Sequence, residues 1–360
     1  MLTTPSYSFA ASSISNTAMV YPGNSFRYEC QIQNTGDFSD TYRLTHQNGQ
    51  YVYDLRNASN TASISQITLN QTETASFYAQ VTVPLTVANA DFDVVSINMA
   101  STSQPSVSES IQLSTTTPVY AFNIGTLRDQ QTISPGESFN YSIYIHNSGT
   151  GNDMYTLTVD STTWPVSIRD ISDTSTIQTI SVGADLTVNC ILRVTVPTTG
   201  LSNGESKVMT FNAASFGDTS ISNSQQFTSA SPFYSFTTVL QNNEATINPG
   251  QSYSYPMSIL NTGTANDTYD LSIGNSSFNY LLRNSFDNAT LKTVSLDAGY
   301  SETILVKVSV PLEGVSNGQS DSITIQTLSQ SVHGISDIKG ITTTTSIFHQ
   351  AWLLPQITSH

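Results

Sequence analysis

Charge and cysteine are both scarce in this chain. Of its 360 residues only 10% are charged, with 11 Lys and Arg against 26 Asp and Glu and a formal charge of −15. So little basic content argues against the positive stripe by which proteins displace counterions from nucleic acid. It argues equally against electrostatic docking to anionic lipid. Two cysteines, Cys30 and Cys190, cannot supply a disulfide framework. No run approaches the roughly 18 apolar residues of a membrane-spanning helix, so no direct membrane insertion is expected from this segment. The histidines (His46, His146, His333, His349 and His360) are scattered, which gives no basis for a zinc cluster or a Ser-His-Asp arrangement. A 3.6-residue apolar period is missing as well, and the opening residues lack the pattern of a secretory leader.

What the chain does contain is one pattern written three times. Tyr7-x-Phe9 returns as Tyr120-x-Phe122 and Tyr234-x-Phe236. Pro22-Gly23 returns as Pro135-Gly136 and Pro249-Gly250, and Asn34-Thr35-Gly36 as Asn147-Ser148-Gly149 and Asn261-Thr262-Gly263. Asp40-x-Tyr42 returns as Asp153-x-Tyr155 and Asp267-x-Tyr269, and Val81-x-Val83-Pro84 as Val194-x-Val196-Pro197 and Val308-x-Val310-Pro311. The period is longer than the roughly 20–50 residues of stacking solenoids. It matches a domain of about 100–150 residues that buries its own core. The expected modules are 1–117, 118–231 and 232–345, with 346–360 as a tail or the truncated start of a fourth. Short Thr/Ser-rich segments are expected to link them: Thr115–Pro118, Ser229–Pro232 and Thr342–Thr345. Because Thr-Thr-Pro precedes Tyr7 and Phe348 falls where a fourth signature would begin, the chain reads as a piece of a longer repeat protein.

Each repeat reads as all-β. After Pro-Gly comes period-two alternation, as in Phe26-x-Tyr28-x-Cys30-x-Ile32, which marks a half-buried strand. The Asn-x-Gly that follows is expected to turn the chain, with Gly supplying a positive φ. Further strands surround Tyr42–Leu44 and Tyr51–Leu55, run into Val-x-Val-Pro, and close each unit, as at Val208–Ala214 and Ser222–Thr228. About seven short strands per unit predict three tandem immunoglobulin-like antiparallel β-sandwiches. Cys30 aligns with Ile143 and Met257, and Cys190 with Phe77 and Ile304, so both are expected to be buried free thiols in different modules.

The order Pro-Gly-x-Ser, strand, Asn-x-Gly, Asp-x-Tyr-x-Leu, Val-x-Val-Pro resembles the Ig-like modules of bacterial and archaeal surface and secreted proteins. These include the CARDB-like group and the accessory modules attached to secreted glycosidases. The likeness covers nearly the whole chain, carries no catalytic signature, and implies a spacer, adhesion or surface-layer role.

Three recurring features invite a chemical reading. Asp40, Asp153 and Asp267 beside the Asn-x-Gly turn are candidates for a calcium site, the one cofactor the sequence raises. The structural alternative, an Asx-type cap, needs fewer acids than a calcium cage and is preferred. Arg56, Arg169 and Arg283 hold register too, each near an acid, and read as stems packed on a sheet with the fork on a loop carbonyl or carboxylate. Tyr53, Trp164 and Tyr280 are the candidates for partner binding, since rings on one strand suit a glycan or another protein; the alternative is that they fill the core.

Function is therefore expected to be non-catalytic. The chain reads as an extracellular or cell-surface structural segment of an adhesin, stalk, surface layer or filament, whose partners are neighbouring modules. The alternative is an array that binds surface glycan or protein, accessory to a secreted hydrolase.

Overall fold

The computed structural model describes residues 6–160 and 163–347. Among the described residues there is no helix, and hence none long and apolar enough to cross a membrane. Strands pair into six sheets, which form three two-sheet sandwiches of immunoglobulin-like type. The first contains β1 (Phe9–Ser13), β2 (Thr17–Met19), β3 (Ser25–Asn34), β4 (Asp40–His46), β5 (Val52–Asn57), β6 (Gln66–Leu69), β7 (Thr74–Thr82), β8 (Phe92–Ser101) and β9 (Ser108–Thr116). A four-stranded sheet has the order β1-β3-β7-β5 and faces a five-stranded sheet of order β2-β9-β8-β4-β6. The other two sandwiches repeat both orders.

The strand count exceeds seven for two physical reasons. The opening strand divides: β1 pairs with β3 in one sheet, then the chain crosses and β2 pairs with β9 in the other. That second pairing is parallel, as are its counterparts Gln130–Thr132 with Thr228–Ala230 and Glu244–Ile247 with Thr342–Thr345. Likewise β5 and β6 form a bent hairpin, bridged at Arg56 and Ser63, whose arms belong to opposite sheets. Antiparallel pairing accounts for the rest.

Burial follows the alternation. Along β3, Tyr28, Cys30, Ile32 and Asn34 are buried while intervening residues reach the surface or its margin. Among the described residues three separate clusters of buried side chains result, one inside each sandwich, and none mixes residues of different sandwiches. Cys30 and Cys190 lie fully buried and unpaired in the first and second cores. Burial pushes their thiols up to about 11 and about 12.

The Thr/Ser segments expected as linkers are instead the ends of the last strands. Thr115, Ser229 and Thr343 are fully buried. The reason is a tyrosine on the opposing sheet: Tyr28 Oη donates to the Ser114 carbonyl at 2.7 Å and lies 2.9 Å from Thr115 Oγ1. Tyr141 reaches Thr228 and Ser229, and Tyr255 reaches Thr342 and Thr343, in the same manner. A hydroxyl at this position gives the buried phenol a second partner beside the strand carbonyl it already reaches.

Outer faces use hydroxyls where most proteins use charge. Ser25 pairs with Thr82 across strands at 2.8 Å, and its register equivalents Ser138–Thr195 and Ser252–Ser309 pair at 2.7 and 2.9 Å. Thr41–Thr68 and Thr268–Ser295 do the same on the other sheet. Such cross-strand hydroxyl pairs contribute roughly 0.2–1 kcal/mol each.

Candidate functional site

The three recurring aspartates begin a strand and are buried. Asp40 accepts Ser101 Oγ at 2.5 Å on one oxygen, and Ser103 Oγ at 2.9 Å and the Thr41 amide at 2.8 Å on the other. Asp153 accepts Ser215 Oγ, the Gly217 amide and the Met154 amide; Asp267 accepts Ser329 Oγ and the Ser331 and Thr268 amides. Both oxygens of each carboxylate are thus engaged by the protein, and each stitches a strand start to the turn between the last two strands. Among the described residues no group of three or more His, Cys, Asp or Glu is placed to hold a metal ion.

The aromatic candidates for partner binding are core residues. Tyr53, Trp164 and Tyr280 are 7%, 3% and 7% exposed. Tyr280 Oη donates to Thr343 Oγ1 at 2.7 Å, and Tyr53 Oη lies 3.4 Å from Thr115 Oγ1. Burial raises both phenols to about 12. Rings enclosed in this way have no face left for a glycan, which corrects the binding role offered for them from sequence.

The arginines close the tips of the bent hairpins. Arg56 Nε donates to Asn60 Oδ1 at 2.6 Å and its fork reaches the Asn60 carbonyl at 3.2 Å. Arg169 makes both contacts to Asp173, and Arg283 makes them to Asp287. Asn60, Asp173 and Asp287 all have φ near 55°, the left-handed region that Asn and Asp tolerate better than most residues.

Residues of different modules meet at the joints. The buried Asn147 donates Nδ2 to the carbonyls of Gly151 at 2.9 Å and Val182 at 3.0 Å, and Oδ1 accepts the Gly149 amide at 2.9 Å. Gly149 is not at positive φ, so the reason for glycine is steric. A Cβ there would sit 2.2 Å from the Val119 carbonyl oxygen, because the incoming chain lies directly across it. That incoming chain is shared between two modules. Val119 bonds Thr150 of its own module through both amide and carbonyl, each at 2.9 Å, and the Ala121 carbonyl accepts Ser148 N at 2.9 Å. Between them Tyr120 faces the opposite way. Its amide donates to Asn89 Oδ1 at 2.7 Å and its carbonyl accepts Asn89 Nδ2 at 2.9 Å, so one side chain of the first module holds the backbone of the second.

The second joint repeats these contacts. Tyr234 is held by Asn203 through amide and carbonyl, each at 2.8 Å, while Phe233 bonds Thr264 and Ser235 bonds Thr262. Just beyond each asparagine, Ala90 and Gly204 adopt positive φ and donate to the carbonyls of Pro118 and Pro232. The first joint has an added tie, with the Asn152 amide donating to Tyr21 Oη at 3.0 Å. Tyr21 aligns with Ser134, which is too short for the same reach. Asn89, Asn203 and Asn317 hold one register, and Asn89 and Asn203 each lie 31 residues before the Tyr-x-Phe tyrosine they hold. That alignment is the signal the sequence carries for this contact.

No family model matches the chain, and no curated protein matches it. Among solved structures it is similar to the tetra-tandem repeat in the extending region of a large adhesion protein. The identity is 11% and the TM-score 0.27, covering 94% of this chain and 74% of that one. It is similar also to extracellular cadherin domains 3–6 of protocadherin gamma B2, at 10% identity and a TM-score of 0.29, covering 95% and 76%. A third likeness is to Escherichia coli alpha-2-macroglobulin, at 10% identity and a TM-score of 0.24. It covers 94% of this chain, which spans only 32% of that protein. With TM-scores this low, the fold rests on the strand pairings themselves.

Proposed function

We propose that the chain is a non-catalytic structural spacer, a run of sandwiches within a longer repeat-containing protein of the cell surface. One observation carries this reading. At both joints every backbone polar group of the connecting residues Val119–Tyr120 and Phe233–Tyr234 is bonded to one module or the other. A connection of that kind transmits orientation, whereas a flexible linker would leave those groups to water. Spacing a functional end from a surface needs such fixed joints and needs no reactive residue.

Residual dipolar couplings on the intact chain test the reading. Alignment tensors of adjacent modules should agree in the native chain, and Asn89→Ala should uncouple the first pair more than the second. Modules that tumble independently in the native chain would remove the basis for a spacer of set length. Protease shaving of intact producing cells tests the surface location: the chain should be released without lysis.

A further inference from the structure

The first module carries the receiving half of a joint. Ser6 and Ser8 lie across Gly36 as Val119 and Ala121 lie across Gly149: a Cβ on Gly36 would sit 2.8 Å from the Ser6 carbonyl oxygen and 2.9 Å from the Ser8 amide. The Asp37 amide donates to the Ser6 carbonyl at 2.9 Å, the Ser6 amide donates to Asp37 Oδ2 at 2.8 Å, and Thr35 N donates to the Ser8 carbonyl at 3.0 Å. Tyr7 sits between them in the position of Tyr120 and Tyr234, its ring 5.6 Å from Phe38. Among the described residues its amide and carbonyl have no hydrogen-bond partner, whereas in the two later modules the same pair is held by an asparagine of the module ahead.

The giving half recurs at the far end. Thr345 bonds Gln319 as Thr117 bonds Asp91: amide to carbonyl at 2.9 Å against 2.8 Å, and amide to hydroxyl at 2.9 Å against 2.8 Å. Gly318 has the positive φ of Ala90 and Gly204, and Ile347 stands where Val119 and Phe233 stand.

We propose that the Ser6–Ser8 strip is a docking surface for a further module of this same kind, which would present an asparagine to the Tyr7 amide and carbonyl as Asn89 does to Tyr120. The two occupied copies of the strip argue for this occupant. The proposal deepens the spacer reading and uses the same joint.

The test joins two copies of the chain so that Tyr7 of the second directly follows Ile347 of the first. Asn317 and Tyr7 then stand at the spacing of Asn89 and Tyr120, 31 residues. The probe is amide hydrogen exchange at the two Tyr7 positions. The second-copy Tyr7 amide is expected to exchange roughly 100-fold more slowly than the first-copy one. Asn317→Ala in the first copy should abolish that slowing, while Tyr120 and Tyr234 report that the modules remain folded and jointed. Equal exchange at the two Tyr7 positions, or slowing that survives Asn317→Ala, would overturn the proposal. Should Tyr120 and Tyr234 themselves prove unprotected, the spacer reading fails instead, so the two failures are distinguishable.

Discussion

Asn147 uses all of its amide inside the fold: two donors on two carbonyls and one acceptor on an amide, with none of the side chain exposed. Replacing it by alanine removes all three of those hydrogen bonds from a buried turn. Asn147→Ala should therefore cost the second module about 3 kcal/mol, read from urea unfolding. A loss within experimental error of zero would show that water replaces the side chain and that the motif is not structural. The presence of this motif was legible in sequence; the reason for its glycine was not. Asn-x-Gly suggests a left-handed turn because glycine so often serves that need. Here the glycine answers to the Val119–Ala121 connection of its own module, which lies directly across it, a contact that local pattern does not encode.

The bent hairpin between β5 and β6 shows where pattern reading stops within a module. The alternating strands were legible because one face of each is buried. An arm that leaves one sheet for the other has no continuous face to read, so β6 and its equivalents stayed hidden. The arginine register did point there, and the structure adds its partners. Asp173 is held below the usual carboxylate range first by the Asn140 amide and then by Arg169 and Arg193, and Asp287 likewise by Lys307 and Arg283. A depressed folded value means that stabilisation is fully present above the ordinary Asp value of about 3.9 and is lost as pH falls below it. Asn60 fills the same place in the first module without titrating. Asp173→Asn should thus keep the second hairpin closed at neutral pH and make the chain lose less stability under acid than the native one, as followed by urea midpoints between neutral pH and about pH 3. Superimposable pH profiles would refute the role assigned to Asp173.

For the whole molecule, the decisive feature is three cores that do not mix. The periodic landmarks made this legible from sequence, since each repeat holds a complete set of buried positions. The joints were misjudged because Thr and Ser near proline look like linker composition, while here they receive buried tyrosines. Separate cores make a specific forecast. Ile143→Ala should weaken the second module by about 2–5 kcal/mol. Cys190 should then react faster with a thiol reagent while Cys30 stays as slow as in the native chain. Equal acceleration of both would mean that the modules unfold as one body. The paired hydroxyls of the outer sheets lead to a last consequence. Dissolved ions act on a fold mainly by shielding its surface charges from one another, and here neutral oxygen-to-oxygen contacts have taken much of that role. Sandwiches so finished should keep their fold from dilute to briny surroundings.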